Sequence, residues 1–184
     1  MSRLCLFCAS STGNDPRFAD AARALGTLLA EKGVGLVYGG GNIGLMGICA
    51  DAALLAGGEV VGVIPRGLEE REVAHRGLTD LQVTGTMHER KQRMHDLSDA
   101  FIVLPGGFGT LDELFETLTW AQLGIHGKPI GLLDVAGFFQ PLLAFIEHQV
   151  ESGVVAPRTR ALLWSDDSLP RLVSALLAGT PPQS

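Results

Sequence analysis

The sequence predicts an α/β fold: a doubly wound, Rossmann-like parallel sheet with helices on both faces. Three observations predict it. Short apolar segments of strand length alternate with longer stretches whose apolar residues recur at helical spacing. The turns that lead from strand to helix are repeatedly rich in glycine. No repeat or linker divides the 184 residues, so one domain spanning 1–184 is expected, with a frayed tail at 179–184. In such sheets ligands bind beyond the carboxyl ends of the strands.

The elements follow in order. Leu4 to Ala9 reads as the first strand, and Ser10 and Ser11 lie in the polar turn after it. Asp15-Pro16 fits a helix start, aspartate as cap and proline at the first helical position, with the helix running to about Lys32 and ending at Gly33. Val34 to Tyr38 is a second strand. Gly39, Gly41 and Gly44 then fit G-x-G-x-x-G between strand and helix. The ribose-binding acid of a dinucleotide site is not evident further on. Gly40, Gly41 and Asn42 therefore read either as phosphate-proximal backbone or as a tight turn built for close packing.

Ile43 to Leu55 is the second helix and Glu59 to Ile64 the third strand. Residues 65–80 form the most charged segment and read as a loop with a short helix, over the strand ends; Glu72 and His75 are its candidates, against a solvated face. Leu81 to Thr84 is a short strand. On the helix that follows, Met87, Arg90, Lys91 and Met94 share one face by spacing. Two cations there fit either a surface helix with snorkelling stems or ligands for an anion.

Phe101 to Leu104 is an apolar strand stopped by Pro105. Gly106, Gly107 and Gly109 predict a turn with positive φ, and from Thr110 the stripe Leu111, Leu114, Phe115 and Leu118 predicts a helix. A glycine turn opening a helix points free N–H groups and the positive dipole end at one spot, which suits a phosphate. Thr110-x-x-Glu113 fits a capping box; the competing reading is a carboxylate beside a bound ligand. Lys128 to Leu133 is a strand, Phe138 to Val150 a helix with Pro141 in its first turn, Ala161 to Trp164 a short strand or extended piece, and Asp166-Asp-Ser-Leu-Pro starts the last helix, which ends near Ala178.

Bulk properties exclude several classes. No apolar run approaches the ~20 residues of a membrane helix, and no signal peptide is expected. A net charge of −6 argues against bulk nucleic-acid binding. Three cysteines suit a reduced, cytoplasmic protein. Cys5-x-x-Cys8 lies in a strand, where residues three apart point to opposite faces, so neither redox nor metal chemistry is expected of it. His88-Glu89 lacks the second histidine of a metalloprotease helix.

Pro105-Gly-Gly-Phe-Gly-Thr-Leu-Asp-Glu113 matches the P-G-G-x-G-T-x-x-E motif of the LOG family, cytokinin riboside 5′-monophosphate phosphoribohydrolases often mislabelled lysine decarboxylases. Met87-His-Glu-Arg90-Lys91 resembles the family's Arg-Lys motif. Tyr38-Gly-Gly-Gly-Asn-Ile-Gly-Leu-Met-Gly47 and Thr119-Trp-Ala-Gln-Leu-Gly124 also resemble its signatures, and the likeness runs from about Leu4 to Ala178. The resemblance implies hydrolysis of the N-glycosidic bond of a nucleoside 5′-monophosphate, AMP or an N6-substituted relative, to free base and ribose 5-phosphate. It implies Arg90 and Glu113 as the catalytic pair, and substrate contacts from Glu72, Lys91, Gly106, Gly107, Phe108, Gly109, Thr110, Leu111, Asp112 and Thr119. It implies a homodimer, with which a second apolar face at Thr117 and Trp120 agrees. No metal or other cofactor is expected. A different class on the same fold is a non-catalytic nucleotide or molybdenum-cofactor carrier, which needs no carboxylate at Glu113. A lysine decarboxylase is disfavoured, because no lysine has a convincing pyridoxal-phosphate context.

Overall fold

A computed structural model describes residues 2–68 and 74–182. Among these, seven strands form one parallel sheet in the order β4-β3-β2-β1-β5-β6-β7. The strands are β1 (Arg3–Phe7), β2 (Gly35–Tyr38), β3 (Val60–Pro65), β4 (Asp80–Thr84), β5 (Ala100–Val103), β6 (Ile130–Leu133) and β7 (Leu163–Asp166). The helices are α1 (Pro16–Glu31), α2 (Gly44–Leu55), α3 (Met87–Asp96), α4 (Phe108–Gln122), α5 (Gln140–Glu151), α6 (Pro157–Arg160) and α7 (Leu169–Ala178). The predicted fold class holds. Chain order reverses direction across the sheet at β1, which pairs with β2 on one side and β5 on the other.

Strand alternation builds the two core layers. Leu4, Leu6 and Cys8 join α1, α2 and α7 on one face; Cys5 and Phe7 join α3, α4 and α5 on the other. Cys5 and Cys8 therefore point apart, as period two requires. All three cysteines are free and buried. Burial pushes the Cys5 and Cys8 thiols up and that of Cys49 to about 12, so none is a nucleophile at neutral pH.

Helix α1 starts as the sequence predicts: the Asp15 carboxylate accepts from the Arg17 N–H, with Pro16 behind it. It packs closely on α2 because Gly26 has no side chain. A Cβ there would lie 2.2 Å from the Cys49 carbonyl oxygen and 2.8 Å from the Ala53 nitrogen. Both obstacles are backbone and cannot rotate away. Gly26→Ala is expected to destabilise the fold by about 3 kcal/mol, roughly 6–10 °C in Tm, despite alanine's better helix propensity. Calorimetry checks this; an unchanged or raised Tm would contradict the close-packing account.

Several boundaries differ from expectation. The first strand ends at Phe7, not Ala9, because the chain there turns to meet Pro105, whose carbonyl accepts from the Ala9 N–H. The third strand runs through Pro65, tolerated because that residue pairs only as far as Thr84 at the sheet end. The expected helix over Phe138 to Val150 begins at Gln140, after a short turn at 135–137. The Asp134 carboxylate accepts from the Phe139 N–H and the Gln140 side chain there. The short strand or extended piece expected at Ala161 to Trp164 is β7, shifted to Leu163–Asp166, with α6 just before it. Within the expected Asp166-Asp-Ser-Leu-Pro start, the last helix begins at Leu169, since Asp166 completes β7 and pairs with Arg171.

Candidate active site

Residues 105–113 supply one wall of the site. Pro105 and Gly106 leave β5, and α4 begins at Phe108 with Gly107 as its cap residue. The helix therefore starts two residues before the expected Thr110, and the capping box at Thr110-x-x-Glu113 does not form. Glu113 sits in the second turn, where it has no end of a helix to cap. A box-like cap exists elsewhere: the Thr86 hydroxyl accepts from the Glu89 N–H at 3.1 Å, and the Glu89 carboxylate accepts from the Gly85 N–H at 2.7 Å.

Gly106, Gly107 and Gly109 do not adopt positive φ. Their lack of side chains has other reasons. A Cβ on Gly106 would strike the Thr110 side chain at 2.1 Å, while Cβ atoms on Gly107 and Gly109 would meet nothing within 4 Å. The open space over Gly107 and Gly109 lies at the start of a fifteen-residue helix whose cap has no side-chain partner. First-turn N–H groups without intrahelical partners face that space, as at an anion site.

An open cavity of about 260 Å³ occupies this place, between the carboxyl ends of β1 and β5. Ser10, Ser11, Met46, Arg90, Gly107–Thr110 and Glu113 line it. Gly44, at φ +61°, lets the serine turn in: a Cβ there would lie 2.3 Å from the Ser10 carbonyl carbon. The glycines of the 39–44 loop thus serve packing. Gly41 bridges to Ala74, and Gly40, Gly41 and Asn42 do not line the cavity. A larger groove of about 580 Å³ between β4, α3 and α4 is lined by His88, Glu89, Arg93 and Trp120 among others and has no glycine turn.

Arg90 and Lys91, adjacent on α3, part company. The Arg90 side chain is buried, donating to the Val63 carbonyl at 3.1 Å and the Gly39 carbonyl at 3.2 Å. It fits only because residue 39 is glycine; a Cβ there would stand 1.9 Å from a guanidinium nitrogen. Lys91 turns to α4 instead, with Asp112 at 3.2 Å and Glu116 at 3.0 Å. Burial lowers its pKa, but the bonds to Glu116 and Asp112 outweigh that and hold the ammonium above its ordinary range. Leu111 packs against the core and Asp112 is spoken for by Lys91, so neither reaches the cavity. Thr119 lines a separate recess with Phe115, Leu118 and Ile146. His75 donates its backbone N–H to Gly40 and pairs through its ring with Asp51 at 2.9 Å, pinning the charged loop to α2. Glu72 lies outside the described residues.

Sequence reasoning missed His95 and mistook Thr117. Thr117, expected on a second apolar face, is fully buried within the chain, and its hydroxyl lies 2.9 Å from the His95 Nε2. No signal reveals this pair, since a histidine and a threonine 22 residues apart carry no spacing. His95 packs on Phe101 and Trp120. Burial, with His126 and Lys128 nearby, lowers its pKa to about 4. An unfolded His95 titrates near 6.5, so below that the unfolded chain holds more protons than the folded one. This share of stability is complete above about pH 6.5 and is lost as pH falls towards 4, about 3 kcal/mol in all. Urea midpoints at pH 7.5 and 4.5 should show a steeper fall for wild type than for His95→Gln. Equal falls would place the titration elsewhere.

Among the described residues, no group of three or more His, Cys, Asp or Glu is placed to hold a metal ion, and no helix is long and apolar enough to cross a membrane. No lysine lines the cavity.

Residues 46–176 match a family model described as "Possible lysine decarboxylase". The chain is 49% identical over 174 residues to cytokinin riboside 5′-monophosphate phosphoribohydrolase LOG1 of Arabidopsis thaliana, covering 95% of this chain and 82% of that protein. It is 48% identical to the corresponding LOG protein of Oryza sativa subsp. japonica, covering 95% and 72%. Among solved structures, the molybdenum-cofactor carrier protein of Chlamydomonas reinhardtii superposes with a TM-score of 0.73 over 97% of this chain and 96% of that one. Its sequence identity is 21%, so that likeness speaks for the fold alone.

Proposed function

The chain belongs to the LOG family of cytokinin riboside 5′-monophosphate phosphoribohydrolases, and from that membership we propose that it hydrolyses the N-glycosidic bond of a purine nucleoside 5′-monophosphate. AMP and N6-substituted AMP are the substrates, and the reaction activates cytokinins by freeing their bases. One observation carries the reading: a single cavity at the switch point of the sheet joins the open start of α4, Arg90 and Glu113.

The chemistry follows from that grouping. Water adds to the anomeric carbon as its bond to the base breaks, and the base leaves with a proton; the products are free base and ribose 5-phosphate. The transition state carries positive charge on the sugar. The Glu113 carboxylate stabilises that charge and orients the water. The N–H groups at Gly107–Thr110 hold the 5′-phosphate, which gives a carboxylate near an anion site its reason. Arg90 neutralises the phosphate or assists the departing base. Lys91 acts at one remove, ordering Asp112 and Glu116 on α4.

Purified protein incubated with AMP, N6-prenylated AMP, CMP and IMP, then chromatographed for free base, tests the proposal. Release from the adenine nucleotides is expected, and the ratio of the two rates reports base selectivity. Binding without release would favour a carrier.

The enzyme works as a homodimer in this reading. α4 leaves Phe108, at the cavity, 93% exposed, and Phe115, Leu123 and Ile125 are exposed along or just beyond the helix, apolar surface that a second copy would cover. Light scattering at micromolar protein distinguishes the dimer from a monomer. The free, buried cysteines fit a reducing compartment, the cytoplasm, which fractionation of expressing cells would test.

A further inference from the structure

Arg90 and Glu113 sit on different helices, α3 and α4, which share one apolar core layer through Met94 and Leu114. α3 turns Lys91 and His95, one turn apart, towards α4, which answers with Asp112, Glu116 and Thr117. The Lys91 pairs lie at the outer edge of this contact, and Asp112 is well exposed. The inner rung is buried. Thr117 is fully buried, and its hydroxyl donates to the Glu113 carbonyl at 2.7 Å. A hydroxyl has one proton, so the 2.9 Å contact to His95 Nε2 is a bond donated by the imidazole. His126 holds the same residue by its backbone: its Nε2 donates to the Thr117 carbonyl at 3.0 Å, and its Nδ1 accepts from the Lys128 N–H. Lys128 in turn donates its ammonium to the His95 carbonyl at 2.6 Å. The chain of bonds starts at the backbone of Glu113 and ends on the helix that carries Arg90.

We propose that His95 and Thr117 are positioning residues, which lock α3 to α4 and so fix Glu113 in reach of the sugar opposite Arg90. The proposal rests on the hydrolase reading of the cavity. Its energetic sense is that of preorganisation: a shift of ~1 Å between reacting groups costs up to ~100-fold in rate, while the binding of distant substrate groups is little affected. Other contacts between the helices survive loss of this rung, so the loss should appear in turnover rather than in substrate affinity.

Thr117→Val removes the hydroxyl and keeps the shape. We expect kcat for N6-prenylated AMP to fall at least ~10-fold with KM within ~3-fold, measured well below Tm. Thr117→Ser, which restores the hydroxyl, should return kcat to within about twofold. If Thr117→Val does not fold, the same comparison is made at His95: His95→Gln keeps an N–H donor and should retain turnover, whereas His95→Phe should lose it. Wild-type kcat in folded Thr117→Val, or equal kcat in the two His95 variants, overturns the positioning role alone. Absence of base release from wild type overturns the hydrolase reading and this proposal with it.

Discussion

Glu113→Gln is expected to abolish base release while leaving the protein folded. Glutamine matches glutamate in size and keeps the backbone of α4, so binding of the phosphate at the helix start persists. What it removes is the negative charge beside the anomeric carbon and the base that orients water. Each of these contributes on the order of 10²–10⁴ in rate, and one carboxylate supplies both, so kcat should drop by at least ~10³-fold. KM for the nucleotide should change little. Steady-state assay of free adenine, with a thermal melt of the same sample, checks both halves. A variant that turns over within threefold of wild type would remove Glu113 from the reaction.

Arg90→Lys should cost about 10²-fold or more in kcat/KM, although the charge is kept. The Arg90 guanidinium is held by two carbonyls from two strand ends, Val63 and Gly39, and a lysine ammonium cannot reach both in one plane. Gly39→Ala should reproduce the defect without touching Arg90 itself, because its methyl group would occupy the guanidinium's place. Comparing AMP with adenosine separates the two roles of Arg90. A phosphate ligand shows its loss in KM for AMP and spares adenosine; a group that assists base departure shows a fall in kcat for both. Full activity in Gly39→Ala would mean that the observed seat of Arg90 is not the working one.

Much of this was legible in the sequence because the signals are local. Asp15-Pro16 caps α1 through bonds within three residues, and the alternation of Cys5 and Cys8 across the sheet follows from strand geometry. Strand–glycine–helix order placed the Ser10 turn and the 105–110 turn at strand ends, and parallel pairing on both sides of β1 brings those ends together. The Thr110-x-x-Glu113 pattern misled because a capping box depends on where the helix starts. Glycines 106, 107 and 109 hid a start at Phe108, and the working cap lies at Thr86 and Glu89.

The sequence by itself determined the alternation of elements, the parallel sheet and the glycine-rich turn between β5 and α4; the two residues proposed to react came from the family resemblance. Periodicity and turn chemistry depend on neighbours a few residues away, so they can be read along the chain. Only the tertiary structure decided which way the polar side chains turn. Arg90 enters the strand ends while Lys91 faces α4, Thr117 is buried against His95, and Thr119 leaves the cavity. The physical reason is that a buried polar group goes where its partner is, and the partners that draw in Arg90, Lys91 and His95 lie 21 to 51 residues away in the chain.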